Sequence, residues 1–198
     1  MDYPLFELLI SEDESNPLEV SYVALVDKPA IERNFLAFAD QKPMSFAVDE
    51  DRRIISGPAM LADVPIFRLA DGEIPDHLVV FKAATIYDIA QKFFQKDFHK
   101  NFNLMHDPTL KTDGVSVFES FIVDSSRGIK PMAGFEDAKD GSWFISAKIT
   151  NDNIWKIIKS GQVKGFSVEG MFKYKKEQTA DEQAFSKIKE ILNGLKPD

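Results

Sequence analysis

The sequence contains no cysteine, which excludes a disulfide framework, a thiolate zinc site and a cysteine nucleophile. A chain without disulfides fits a reducing, intracellular compartment. No apolar run reaches the roughly 18 residues that a membrane-spanning helix needs. The first 15 residues lack a basic segment and a small-residue cleavage site, so they do not resemble a secretory signal. We therefore expect neither secretion nor membrane insertion.

Clusters of positive charge are also missing. The chain carries 24 Lys and Arg against 32 Asp and Glu, a formal net charge of −8. Residues 1–51 hold 12 acidic and 3 basic side chains, so the acidity is concentrated there and the rest is close to neutral. Because proteins that bind nucleic acids use basic patches to neutralise phosphates, we expect no direct contact with nucleic acid.

What is present is typical of a globular protein. The chain has 198 residues, of which 44% are hydrophobic and 28% charged, and a domain of this size buries about 70% of its unfolded surface. Apolar patterning predicts strands at Leu5–Ile10, Leu18–Val26, Ile54–Leu61, Pro65–Leu69, Leu78–Lys82, Val115–Val123, Trp143–Ile149 and Val163–Tyr174. The polar residues 39–53 are expected to form a mobile connection.

Helical spacing predicts three helices and places the fold in the α+β class. The first runs from Thr85, as N-cap of a capping box, to about Phe98. The second spans Asn151–Ser160 and is stopped by glycine, and the third spans Thr179–Gly194. A polar stretch precedes the third helix, which divides the chain into a domain of residues 1–174 and a linker with an amphipathic helix at 175–198.

Three histidines limit any histidine-based chemistry. His77 follows a turn signal and is expected at the surface, and His99 is expected to interact with the carbonyls at a helix end. His106 lies between an element and a long turn, where an imidazole could act as a base. His99 and His106, together with Asp97 and Asp107, could in principle bind a metal, but their spacing matches no metalloenzyme signature. We expect no metal and no cofactor.

Ser167 is the most unusual polar residue. It lies between Gly165 and Gly170 in a strand-like stretch, and glycines allow a substrate to approach the backbone closely. The alternative is a small serine in a glycine-containing strand. The pattern is not the Gly-x-Ser-x-Gly elbow of α/β-hydrolases, because residue 169 is Glu.

Several segments, in their order along the chain, resemble the XkdF-like serine proteases of tailed phages. They are Asn103–Asp107, Val117–Asp124, Gly141–Ile149 and Ile154–Gly170, together with Val23–Ile31 near the start. The resemblance covers residues 18–174. It implies a prohead maturation protease with an antiparallel β-barrel flanked by helices, as in the herpesvirus assembly proteases. The strand within residues 19–30 looks like one that follows the serine in other prohead proteases, so the barrel would be circularly permuted.

The resemblance also implies the catalytic roles and the substrates. Ser167 would be the nucleophile and His106 the base, since a serine hydroxyl becomes reactive when a neighbouring imidazole takes its proton. The expected substrates are phage scaffold and major capsid proteins, cleaved within the assembling prohead in the cytoplasm of a bacterial host. The apolar stripe of the terminal helix separately predicts that this helix mediates association with a second copy of the chain or with scaffold protein; the alternative is that it packs on its own barrel.

The third catalytic residue is open on the sequence alone. Herpesvirus enzymes use a second histidine, but His77 and His99 lie in no matching motif. We favour Glu119, because an ionised carboxylate would orient the imidazole; Asp107 and Glu19 are alternatives, and Glu119 could instead be a solvent-facing strand residue. A different class of function also fits, namely an inactive shell- or scaffold-associated protein that retains the protease fold.

Overall fold

The computed structural model describes residues 3–11, 13, 18–27 and 45–177. Most of this region is β-sheet, and it contains two α-helices. The strands are β1 (Leu5–Leu9), β2 (Val20–Val26), β3 (Ala47–Asp49), β4 (Ile54–Met60), β5 (Ile66–Arg68), β6 (His77–Val80), β7 (Phe102–Leu104), β8 (Asp107–Lys111), β9 (Val115–Ile122), β10 (Trp143–Ile149), β11 (Gly165–Gly170) and β12 (Lys173–Lys176). The helices are α1 (Ala83–Gln95) and α2 (Asp152–Lys159).

The strands form three four-stranded sheets, with the orders β12-β1-β6-β5, β3-β4-β10-β9 and β11-β2-β7-β8. Most neighbours are antiparallel, but β1–β6 and β2–β7 are parallel. The α+β class is therefore confirmed. No closed barrel is found among the described strands, since their ladders belong to three separate sheets rather than one continuous ring.

A core of aromatic and aliphatic side chains lies between the sheets and α1. The apolar stripe of α1 places Ile86, Ile89 and Phe93 in this core, as helical periodicity requires. The ring of Phe93 packs edge-on against Trp143 of β10, with ring centroids 5.5 Å apart. The core thus fixes α1 against the central strand of one sheet.

The first helix differs from its predicted bounds. It begins at Ala83 after Lys82, and no side chain caps it, so Thr85 is a buried residue of the first turn rather than the N-cap. The helix ends at Gln95 because Asp97 adopts a left-handed conformation, with φ at +56°. His99 therefore lies in the 3-10 turn Phe98–Lys100 that follows, beyond the helix end where we expected it.

The second helix follows its sequence signals. The Asn151 side chain accepts hydrogen bonds from the backbone N–H groups of Asn153 and Ile154, which satisfies two donors of the first turn. Gly161 follows the helix with φ at +71°, a conformation that glycine adopts at low cost. Both predicted ends of this helix are confirmed.

The strand predicted over Val163–Tyr174 is two strands in different sheets. β11 pairs with β2 and β12 pairs with β1, so the domain boundary placed at residue 174 falls inside a strand.

Lys82 at the start of α1 contacts Glu177 Oε1 at 3.1 Å and Asp63 Oδ1 at 3.4 Å. The hydrogen bond to Glu177 is the main reason that the pKa of Lys82 is raised. The predicted helix Thr179–Gly194 lies outside the described residues.

The connection predicted over residues 39–53 is structured in its described part. Phe46 is buried, and β3 pairs with β4 in a hairpin that joins Asp49 to Ile54. Apolar burial at Phe46 outweighs the polar composition of the surrounding stretch. Residues 39–44 lie outside the described residues.

No helix in the described part of the chain is long and apolar enough to span a membrane.

A 3-10 turn, Ser125–Arg127, follows β9 and begins after Asp124. Hydrogen bonds from the side chains of Ser126 and Arg127 lower the pKa of Asp124 to about 2.

Candidate active site

Ser167 lies in the middle of β11, the edge strand of the sheet β11-β2-β7-β8. It pairs with Ala24 of β2, which pairs in turn with Asn103 of β7. Residues opposite each other in a ladder project to the same face, and so do residues two apart on one strand. Ser167, Asn103 and Glu169 therefore share a face, with the small side chain of Ala24 between Ser167 and Asn103.

His106 is brought to this face by the hairpin between β7 and β8. Leu104 pairs with Asp107, and the two intervening residues, Met105 and His106, have φ angles of +55° and +60°. Positive φ at both positions is the requirement of a type I′ turn, where Asn and Gly are usual. For residues other than Asn and Gly, a positive φ usually costs free energy, and such strained residues cluster at functional sites.

Glu169 is the carboxylate that contacts His106. His106 Nδ1 lies 3.3 Å from Glu169 Oε2, and Asn103 Nδ2 donates a hydrogen bond of 2.7 Å to the same oxygen. The side chains of His106 and Glu169 are 43% and 34% exposed. A neutral ring with its proton on Nδ1 can donate to this carboxylate and keeps Nε2 as an acceptor. This is the tautomer that a base for serine requires.

Ser167 itself is only 6% exposed. Among the described residues, its Oγ makes no hydrogen bond, either to His106 or to any other group. Hydrogen bonds of catalytic groups are often absent or long before substrate binds and tighten in the complex. The structure thus brings Ser167 and the His106–Glu169 pair to one face of one sheet without joining them directly.

A small apolar pocket adjoins the strand of Ser167. It has a volume of about 40 Å³ and lies beside the edge of β11. Its walls include Met60, Leu61, Ile66, Phe81, Val168 and Phe172. An apolar pocket of this size could accept a small side chain of an extended peptide.

Glu119, favoured on sequence grounds, lies elsewhere. It is an exposed residue of β9, opposite Ser146 in the sheet β3-β4-β10-β9, and no hydrogen bond joins it to His106 within the described residues. Glu169 was not among the candidate residues predicted from the sequence. The signal that could have found it is strand alternation, since Glu169 follows Ser167 by two residues and must share its face.

The two alternatives to Glu119 have other partners. Asp107 Oδ1 accepts hydrogen bonds from the side chain and backbone of Thr109, at 2.6 and 2.8 Å, which lower the pKa of Asp107. Glu19 Oε2 lies 2.6 Å from Lys96 Nζ and 3.4 Å from Lys92 Nζ. These contacts stabilise a hairpin and attach α1 to the region before β2.

The other two histidines lie away from Ser167. His77 is buried, contrary to the surface position that we predicted, because its ring packs between Phe6 and Tyr174 and its Nδ1 bonds the Pro75 carbonyl at 2.8 Å. His99 is half-buried in its 3-10 turn. In the described part of the chain, no group of three or more His, Cys, Asp or Glu side chains could hold a metal ion.

Comparison with known protein families gives a match over the region that contains the candidate site. A family model described as "Putative phage serine protease XkdF" matches residues 47–176, which is more than half of the chain. The matched region includes both helices and the strands β3 to β12, and hence His106, Ser167 and Glu169; β1 and β2 precede it. No curated protein and no solved structure matches the chain.

Proposed function

The chain belongs to the family of the phage serine protease XkdF, and from this premise we propose that it is a serine endopeptidase with Ser167 as nucleophile and His106 as general base. We propose Glu169, in place of Glu119, as the carboxylate that orients the imidazole. The observation that carries the proposal is the contact of 3.3 Å between His106 Nδ1 and Glu169 Oε2 on the sheet face of Ser167.

The arrangement supports the following reaction. Ser167 Oγ attacks the carbonyl carbon of the peptide bond while its proton passes to His106 Nε2. The imidazolium, stabilised by the Glu169 carboxylate, gives this proton to the departing amine as the carbon–nitrogen bond breaks. A water molecule then attacks the acyl-enzyme with the same ring as base, which releases the carboxylic acid and restores Ser167.

An extended peptide is the substrate that the surroundings of Ser167 fit best. Edge strands offer unpaired backbone groups with which a peptide can form an additional strand, and β11 is such an edge. The apolar pocket beside β11 would hold one side chain of that peptide. We propose that the substrates are scaffold and capsid proteins of the phage, cleaved during prohead maturation in the bacterial host.

We further propose that the fold of this chain is a circularly permuted form of the herpesvirus-protease fold. The pairing of β2 with β11 supports it, because a strand that follows the serine strand in other prohead proteases would pair with it in the same antiparallel manner. Termini that lie at the surface and close together allow such a permutation.

The test is labelling with a fluorophosphonate probe, which reacts with activated serines. We expect stoichiometric labelling of the wild type and none of Ser167→Ala. Ser146→Ala is the matched control, because Ser146 is also a strand serine and is similarly buried, at 7%, but lies in a different sheet. Labelling that persists in Ser167→Ala would show that Ser167 is not the nucleophile. Absence of both labelling and peptide cleavage in folded wild-type protein would favour the inactive, shell-associated alternative.

A further inference from the structure

Asn103 is a buried amide beside the proposed catalytic residues. It occupies the centre of the three-residue strand β7 and is 1% exposed. Its Nδ2 donates to Glu169 Oε2, whereas its Oδ1 is buried without a partner in the described part of the chain. A buried amide costs free energy unless its hydrogen bonds compensate. The bond to Glu169 is therefore the interaction that can account for an amide at this position.

The three side chains differ in how firmly the fold holds them. His106 lies on a two-residue turn and Glu169 has a long side chain, and both are partly exposed. Asn103 is fixed by its strand and by burial. Because an amide N–H can only donate and a carboxyl oxygen can accept, this bond holds Glu169 Oε2 at one place. His106 Nδ1 approaches this same oxygen.

We infer that Asn103 is a positioning residue, which holds the Glu169 carboxylate so that it orients the His106 ring. This inference rests on the proposed function of the Ser167, His106 and Glu169 group. Asn103 acts only through Glu169, so its effect on the reaction should vanish when the carboxylate is absent.

A double-mutant cycle tests this dependence. We expect Asn103→Leu to lower kcat for a peptide substrate about 10- to 100-fold with little change in KM, which corresponds to ~1.4–2.7 kcal/mol. In a Glu169→Ala background, the same substitution should change kcat less than about threefold. Equal losses in both backgrounds would overturn the inference, because a general structural role would act with or without the carboxylate.

Asn101→Leu is the matched control. Asn101 is the same residue type, lies just before β7, and its Nδ2 donates to the backbone carbonyl of Ser21 at 3.0 Å rather than to Glu169. We expect its kcat to stay within about threefold of wild type. A loss as large as that of Asn103→Leu would show that amides near β7 affect activity through the strand itself.

A second variant covers the case in which leucine at this position prevents folding. Asn103→Asp has nearly the same shape, and its carboxyl can donate to Glu169 only when protonated. Asn103→Asp should therefore lower kcat in the wild-type background and change it less than about threefold in the Glu169→Ala background, since a carboxylate cannot donate to Glu169 and repels it. Equal losses in both backgrounds, with folding confirmed by circular dichroism, would contradict the inference.

A measurement without turnover separates this inference from the proposed function. In NMR spectra, Asn103→Leu should move the His106 ring signals and leave those of His99 unchanged, and Glu169→Ala should move the same signals. Unchanged His106 signals in Asn103→Leu would overturn the positioning role alone. Loss of the proposed function would instead appear as wild-type protein that the fluorophosphonate probe does not label.

Discussion

Replacement of Glu169 by glutamine removes one charge and keeps the shape of the side chain. The partner atom, His106 Nδ1, is 3.3 Å from Glu169 Oε2. At that distance, the attraction between a carboxylate and an imidazolium is about 1.3 kcal/mol in a water-like dielectric and about 5 kcal/mol at an effective dielectric of 20. Both side chains are more than a third exposed. Solvent therefore screens their attraction, which favours the lower value.

The lower value corresponds to a loss of about tenfold in the rate of the step that forms the imidazolium. A bound peptide would cover the pair and reduce screening, so we expect Glu169→Gln to lower kcat/KM about 10- to 100-fold. The assay is cleavage of a fluorogenic peptide derived from a substrate protein, with the acylation rate of the fluorophosphonate probe as a second measurement.

Glu119→Gln is the control, because it makes the same chemical change on an exposed strand residue of another sheet. It should retain kcat/KM within about twofold. The reasoning would be refuted if Glu119→Gln lost activity while Glu169→Gln kept it. That result would restore Glu119 as the orienting carboxylate and require a different arrangement of β9 in the active protein.

Four further outcomes are expected. His106→Ala should lose most of the activity against a fluorogenic peptide, because its imidazole is the proposed acceptor of the serine proton. Phe93→Ala should lower the free energy of urea unfolding by about 3–5 kcal/mol, because Phe93 is fully buried, whereas Phe94→Ala, at a neighbouring position that is 36% exposed, should cost far less. Because the pKa of Asp124 is lowered to about 2, the ionised carboxylate stabilises the fold above about pH 4, and this contribution is lost as the pH falls toward 2. In urea unfolding, Asp124→Asn should therefore lose less stability than the wild type between about pH 4 and pH 2. Truncation after Glu177 should abolish self-association or scaffold binding in light-scattering and pull-down assays while probe labelling persists; global unfolding would show instead that the removed segment belongs to the core.

Local signals in the sequence predicted the elements whose hydrogen bonds are made nearby. Trp143–Ile149 alternates apolar and polar residues, and β10 has these bounds. Helix α2 follows from its Asn151 cap and the glycine after it. The β7–β8 hairpin was missed because its turn uses Met105 and His106 at positive φ, where sequence patterns lead one to expect Asn or Gly.

Contacts between distant residues account for the rest of what the sequence did not predict. Ser167 and His106 were singled out through the family resemblance, but Glu169 meets His106 only because β2 lies between β11 and β7. No spacing along the chain encodes that order of strands. The closed barrel was expected from the family resemblance alone. Composition and alternation could not test it, because they predict strands but leave open how many sheets the strands form.

The strand order of the sheet that carries Ser167 also sets when activity can arise during synthesis. Its inner strand β2 is made early, the β7–β8 hairpin with His106 follows, and β11 is made last and pairs back onto β2. Translation proceeds at about 5–20 residues per second, and pairings between distant segments are slow to form. A nascent chain can therefore present the histidine hairpin for several seconds before Ser167 exists beside it, so the proposed site cannot be complete until β11 has been made and has paired with β2.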